Sequence, residues 1–136
     1  MNEVNVMVVD DEIDVFLVTR LALRRFHYNG YTVNISYAES AEEAIHLLSS
    51  GEKADLIFLD IVMETANAGY RVIEYIKSCE LKDKILIYIR SGFPGNVPKE
   101  YMHLVEGVDG YMEKVEVSLE HIENAVKYAI DNRYAS

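Results

Sequence analysis

The strongest constraint in this chain is a hydrophobic periodicity that switches back and forth. Short apolar runs cover residues 4–9, 32–37, 56–59, 85–89 and 108–112, and each gives way to a stretch with helical spacing. Residues 13–26 carry Ile13, Phe16, Leu17, Leu21 and Leu23 on one wide apolar face, with Arg20, Arg24 and Arg25 at polar positions, and Asn29-Gly30 reads as the stop. Ser40-Ala41-Glu42-Glu43 is a capping box that opens a helix through Leu48, ending near Gly51. Residues 69–79 place Val72, Ile73 and Ile76 on one face. Asn96 and Pro98 open a helix to about Val105, and Ser118 opens the last, with Leu119, Ile122, Val126 and Ile130 in one stripe. Continuous apolar strands alternating with amphipathic helices predict a parallel sheet covered on both faces, a three-layer αβα sandwich. The 136 residues suit a single domain spanning 1–136.

Composition narrows the function. A formal charge of −10 repels phosphate backbones and anionic membrane surfaces, so direct nucleic-acid or membrane binding is not expected. The longest apolar run, residues 85–89, falls far short of the roughly 20 residues of a membrane helix. Residues 1–5 do not read as a signal peptide. A single cysteine, Cys79, forms no internal disulfide and suits a cytoplasmic setting. His27, His46, His103 and His121 are scattered, with no pair at metal-ligand spacing. Tyr101, His103 and Tyr128 fit either a partner surface or ordinary helix positions.

In open parallel sheets ligands sit beyond the carboxyl ends of the strands. Here those ends carry Asp10, Asp11 and Glu12, then Asp60, then Ser91, then Lys114. Tyr37-Ala38-Glu39, after the second strand, offers less. Close carboxylates repel, and a hard divalent cation such as Mg²⁺ relieves the repulsion while leaving coordination sites for phosphate. Lys114 adds a fixed positive charge and Ser91 a hydroxyl donor, which together suit a phosphoryl group. Asp60 ends the most apolar strand and is the best candidate nucleophile, since carboxylates form acyl phosphates. Taken singly, each residue has a plainer reading. The acidic run is a helix N-terminus, Asp60 a cap or turn, Ser91-Gly92 a turn and Lys114 a solvated side chain. Those readings give no reason for all of them to share one edge.

Four segments, VMVVDDE (6–12), LIFLDIVM (56–63), IRSG (89–92) and DGYMEK (109–114), resemble the receiver domain of two-component response regulators over residues 4–132. The resemblance implies a flavodoxin-like sandwich with five parallel strands in the order 2-1-3-4-5 and five helices. It implies a signalling module rather than an enzyme. Asp60 would accept a phosphoryl group from a histidine kinase or phosphotransfer protein. Asp11, Asp60 and the Val62 carbonyl would ligate Mg²⁺, with Asp10 acting through a water. Ser91 and Lys114 would contact the phosphoryl group. Tyr111 would be the switch aromatic, turning inward with the Ser91 hydroxyl. The fourth helix, fifth strand and fifth helix would meet an output domain or partner, or form a homodimer.

Several positions depart from the family pattern. Glu64 stands four residues after the acceptor, where Pro is usual. Gly69 comes nine residues after it rather than eight, so the loop is one residue longer. Val115 follows Lys114 in place of Pro, and a trans Lys114-Val115 bond is expected, because a non-proline cis bond costs about 3–4 kcal/mol. Arg90 occupies a usually apolar position. Glu64 and Arg90 are expected either to pair at the pocket mouth or to stand as independent solvated side chains. Val62 and Phe93 cannot orient a water, so loss of the phosphoryl group should take minutes rather than seconds. The METANAG (63–69) and RSGFPG (90–95) segments resemble receivers at the front of longer regulators, some carrying cyclic-dinucleotide enzyme domains; the chain is then a single-domain regulator or a piece of a longer one. Other functions fit less well. An aspartyl-nucleophile phosphatase would want an acid at position 62, and a flavodoxin-like cofactor carrier would want a phosphate-cradling loop where three acids stand. A receiver-like adaptor that ignores phosphate stays open because of Glu64 and Val115.

Overall fold

The computed structural model describes residues 2–81, 84–91, 97–114 and 118–133. In chain order these form β1 (Asn2–Val9), α1 (Ile13–Leu23), β2 (His27–Tyr28), β3 (Tyr31–Ala38), α2 (Ala41–Ser49), β4 (Leu56–Leu59), α3 (Ala68–Ser78), β5 (Leu86–Ser91), a 3₁₀ turn (Lys99–Tyr101), α4 (Met102–Val105), β6 (Gly110–Glu113) and α5 (Leu119–Arg133). The sheet order is β2-β3-β1-β4-β5-β6. Every pairing is parallel except β2 with β3. Without β2, the order is the expected 2-1-3-4-5.

Side-chain alternation splits the core into two layers. Met7, Val9, Ile57, Leu59, Ile87 and Ile89 face Leu48 of α2, Val72, Ile73 and Ile76 of α3, and Leu104 of α4. Val4, Val6, Val8, Leu56, Phe58 and Leu86 face Leu23 of α1 and Ile122, Val126 and Ile130 of α5. The sheet is therefore covered on both faces, as expected, by α2, α3 and α4 on one and α1 and α5 on the other.

The sheet has six strands rather than five because Asn29-Gly30 does not stop a helix. Both residues have positive φ, 51° and 82°, and they turn a two-residue hairpin between Tyr28 and Tyr31. The first helix accordingly ends at Leu23, three residues before Phe26. Its orientation also differs from expectation. Thr19 and Leu23 are buried, whereas Ile13, Leu17, Val18 and Leu21 are exposed. Apolar residues occupy both sides of this helix, so spacing alone could not choose the inner one. Two contacts choose it: Phe16 stacks on Tyr37 at 4.7 Å between ring centroids, and the Thr19 hydroxyl receives a hydrogen bond from Arg90.

Candidate functional site

The backbone ladder fixes two carboxylates at the carboxyl edge. Asp10 N–H donates to the Ala38 carbonyl at 3.1 Å, and Asp60 N–H donates to the Val9 carbonyl at 2.8 Å. Neighbouring parallel strands therefore deliver both acids side by side, with side chains nearly wholly buried. Lys114 joins them from beyond β6, where its N–H donates to the Ser91 carbonyl at 2.9 Å. Its Nζ lies 3.1 Å from Asp10, 3.0 Å from Glu12 and 3.2 Å from Asp60. Carboxylate oxygens of Asp10, Asp11 and Glu12 all lie within 4.8 Å of one another. Ser91 is buried at the end of β5.

Three carboxylates thus share one ammonium, with Asp11 close by. Burial, followed by the Asp10 charge, raises the Asp60 carboxyl to about 6. Burial also raises Asp10. For Lys114, burial pulls downward, but the Glu12, Asp60 and Asp10 carboxylates outweigh it and hold the ammonium above its usual range. Such a set fits a hard divalent cation: oxygen donors clustered at one point and an excess of negative charge.

The loop after Asp60 is held from two sides. At Gly69 an added Cβ would meet the Asp60 carbonyl and come within 2.6 Å of Ile61 Cα, so only glycine permits this close approach. Gly69 N–H donates to the Ile61 carbonyl at 2.8 Å. Glu64 closes the other side. Its carboxylate accepts from the N–H groups of Ala41 at 3.0 Å and Glu42 at 3.2 Å, while Ser40 Oγ accepts from Glu43 N–H at 3.0 Å. Every free donor in the first turn of α2 is then satisfied. The Ser40 half of the expected capping box is present, and Glu64 supplies the other carboxylate.

This arrangement corrects both expectations for Glu64 and Arg90. Glu64 also lies 3.9 Å from Arg71. Arg90 is 5 % exposed and points into the opposite core layer, where its guanidinium donates to Thr19 Oγ1 at 2.6 Å. The two neither pair nor stand free in solvent. Strand alternation explains why: Arg90 shares the face of Leu86 and Tyr88, while Ser91 falls on the other. Val115, Gly92, Phe93 and Asn96 lie outside the described residues.

Beside the acids lies a cavity of about 200 Å³ walled by Val62, Tyr70, Ile89, Ser91, Pro98 and Tyr111. Tyr111 is 47 % exposed, so its ring is turned largely outward. Tyr70, at the start of α3, stacks on Tyr101 at 4.2 Å and ties the acceptor loop to the turn before α4. Sequence reasoning missed Tyr70 here. It also passed over Tyr37, whose hydroxyl donates to the Asp10 carbonyl at 2.8 Å. The available signal was its place at the end of the strand beside β1.

An open αβα sandwich with a buried acid pair, a lysine and a hydroxyl at its carboxyl edge defines a class: doubly wound parallel-sheet domains with a polar site at the strand ends. The model of the response regulator receiver domain matches residues 6–127. The chain belongs to that family. It is 27 % identical over 117 residues to a 3′3′-cGAMP-specific phosphodiesterase 2 of Vibrio cholerae serotype O1 (strain ATCC 39315 / El Tor Inaba N16961), a match covering 86 % of this chain and 22 % of that protein. The chain thus spans about a fifth of the length of this curated relative. A response regulator receiver domain protein from Methanospirillum hungatei JF-1 superposes with a TM-score of 0.71 at 26 % identity, covering 92 % of this chain and 93 % of that one. The N-terminal domain of a response regulator/sensory box/GGDEF 3-domain protein from Carboxydothermus hydrogenoformans shares the fold, with a TM-score of 0.74 at 21 % identity and coverage of 96 % and 97 %. Among the described residues no helix is long and apolar enough to cross a membrane.

Proposed function

We propose that this receiver is a phosphorylation switch in which Asp60 is the acceptor. The observation that carries the reading is the meeting of Asp10, Asp60 and Glu12 on one lysine at 3.0–3.2 Å, at the only sheet edge where an αβα fold offers a ligand site. The donor is a histidine kinase or phosphotransfer protein. Its phosphohistidine is made from ATP, which places the exchange in the cytoplasm.

An Asp60 oxygen attacks phosphorus, the P–N bond to the donor imidazole breaks, and the imidazole leaves with the electron pair. Even without a metal, a carboxyl raised to about 6 is largely ionised at neutral pH, the form that attacks. Lys114 neutralises charge on the transferred oxygens. The Ser91 hydroxyl donates to one of them. Asp10, Asp11 and Asp60, with the Val62 carbonyl, would hold Mg²⁺, which when bound supplies charge neutralisation at the phosphoryl oxygens. Tyr111 then turns from solvent into the cavity beside Ser91, changing the surface formed by α4, β6 and α5.

Exposed α1 is the surface against which the donor docks. It starts directly after the acidic run, so a protein bringing phosphorus to Asp60 must cover Ile13 and Leu17. Binding of a beryllofluoride phosphate mimic tests the reading. Wild-type protein should bind it only with Mg²⁺, and Asp60→Ala should not bind. A folded wild type that fails to bind favours the phosphate-independent adaptor instead.

A further inference from the structure

Arg90 is a cation where the chain would ordinarily place an apolar side chain. Its strand neighbours on the same face, Leu86 and Tyr88, pack into the layer under α1 and α5. Arg90 is as buried as Leu86, and buried arginines are nearly always matched to a carboxylate. Here its polar partner is a hydroxyl. Thr19 Oγ1 accepts at 2.6 Å and in turn donates to the Val15 carbonyl at 2.7 Å. The Phe58 ring lies 5.7 Å away, and Nε has no partner among the described residues. A hydroxyl and a ring face do not offset the desolvation of a full charge.

What offsets it lies one layer up. Arg90 is the residue before Ser91, so its backbone is part of the pocket floor. Val9, Leu59 and Ile89 pair in register across β1, β4 and β5, so Asp10, Asp60 and Arg90 follow at one level, and alternation sets them on the face of Val8, Phe58 and Tyr88. The Asp10 charge accordingly opposes the effect of burial on the guanidinium. The pocket needs such a field, because among the described residues three of its four carboxylates share Lys114 and Asp11 has no cation within ion-pair distance. The buried cation and the excess of anions sit at the ends of adjacent strands.

We propose that Arg90 is a permanent internal counter-cation of the acidic pocket, a positioning residue acting through Asp10. It keeps the carboxylates assembled when no metal is present. It weakens the pocket's hold on divalent cations and strengthens its hold on the phosphoryl anion. The proposal rests on the receiver reading of the pocket.

Calorimetric titration of the full chain with Mg²⁺ tests it, comparing wild type with Arg90→Met, Arg90→Gln and Arg90→Lys. Removing a buried charge beside a divalent site should tighten Mg²⁺ by about three- to tenfold in both neutral variants. Arg90→Lys should stay within about twofold of wild type, since it keeps the charge. The difference should persist at high salt, because buried charges are little screened. With saturating Mg²⁺, the neutral variants should bind beryllofluoride several-fold more weakly. In EDTA at pH 8, Arg90→Met should melt below wild type, because the ionised carboxylates lose a counter-charge, and saturating Mg²⁺ should narrow the gap. Neutral variants with wild-type Mg²⁺ affinity would make Arg90 a core filler and overturn the proposal, as would Arg90→Lys behaving like Arg90→Met. A wild type that binds no Mg²⁺ fails the receiver reading itself and takes this proposal with it, an outcome distinct from equal affinities.

Discussion

Replacing Asp60 by Asn should make the metal-free protein more stable, by an amount that grows with pH. Asp60 is 4 % exposed, and burial with the Asp10 charge lifts it from 3.8 to about 6. That net shift already includes the attraction of Lys114. Between the two values the folded state binds a proton that the unfolded state has released, so stability falls as pH rises through this window. Two units correspond to about 3 kcal/mol of destabilisation that is fully present above pH ~7 and absent below pH ~4. The Asn amide resembles the protonated carboxyl in shape and charge, so it escapes this cost. In a domain of this size about 3 kcal/mol is a shift of roughly 10 °C in Tm. Thermal melts in EDTA, from pH 5 to pH 8, read it directly. Asp60→Asn should melt well above wild type at pH 8, and the gap should narrow toward pH 5. Saturating Mg²⁺ should narrow it at pH 8, by stabilising wild type more. A gap that does not change with pH, or an Asn variant that melts lower at pH 8, would refute the reasoning that the acceptor is held in an unfavourable field.

Glu64→Gln should cost about 1–2 kcal/mol at neutral pH, since a charged cap on α2 is lost. Burial pushes Glu64 up, but the Ala41 and Glu42 N–H groups hold it below 4.5, so its contribution is present above pH ~4.5 and lost as pH falls through the lower folded value; the two proteins should converge in acid melts. Gly69→Ala should lower stability by about 2 kcal/mol or more and weaken beryllofluoride binding, read by melts and titration, because the new Cβ forces the acceptor loop off Ile61. Ile13→Ser with Leu17→Ser should leave Tm within about 2 °C of wild type, as expected of exposed sites. The same pair should slow phosphotransfer from the cognate kinase at least tenfold, yet leave labelling by acetyl phosphate unchanged.

Much of this molecule is legible in one dimension. Fully apolar strands such as Leu56–Leu59 and the stripe Ile122, Val126 and Ile130 encode the layers, and the rule that ligands gather at strand ends finds Asp10, Asp60, Ser91 and Lys114. The Asn29-Gly30 pair misled because positive φ serves both a helix stop and a hairpin turn. The flanking Tyr28 and Tyr31 were the cue to the second. Glu64 was unreadable for another reason: its hydrogen-bond partners lie more than 20 residues away, at the start of α2, and no local pattern reports them. Arg90 inverted an inference. Charge usually signals solvent, but strand alternation put this side chain on an inner face.

The Glu64 tie also closes one place where an anion could land. A helix N-terminus is a ready anion cradle, and α2 opens on the same edge as the acidic pocket. Its first-turn donors are already taken by the protein's own carboxylate and by Ser40. The chain has filled its decoy in advance. An anion arriving at this edge therefore finds no open cradle on α2.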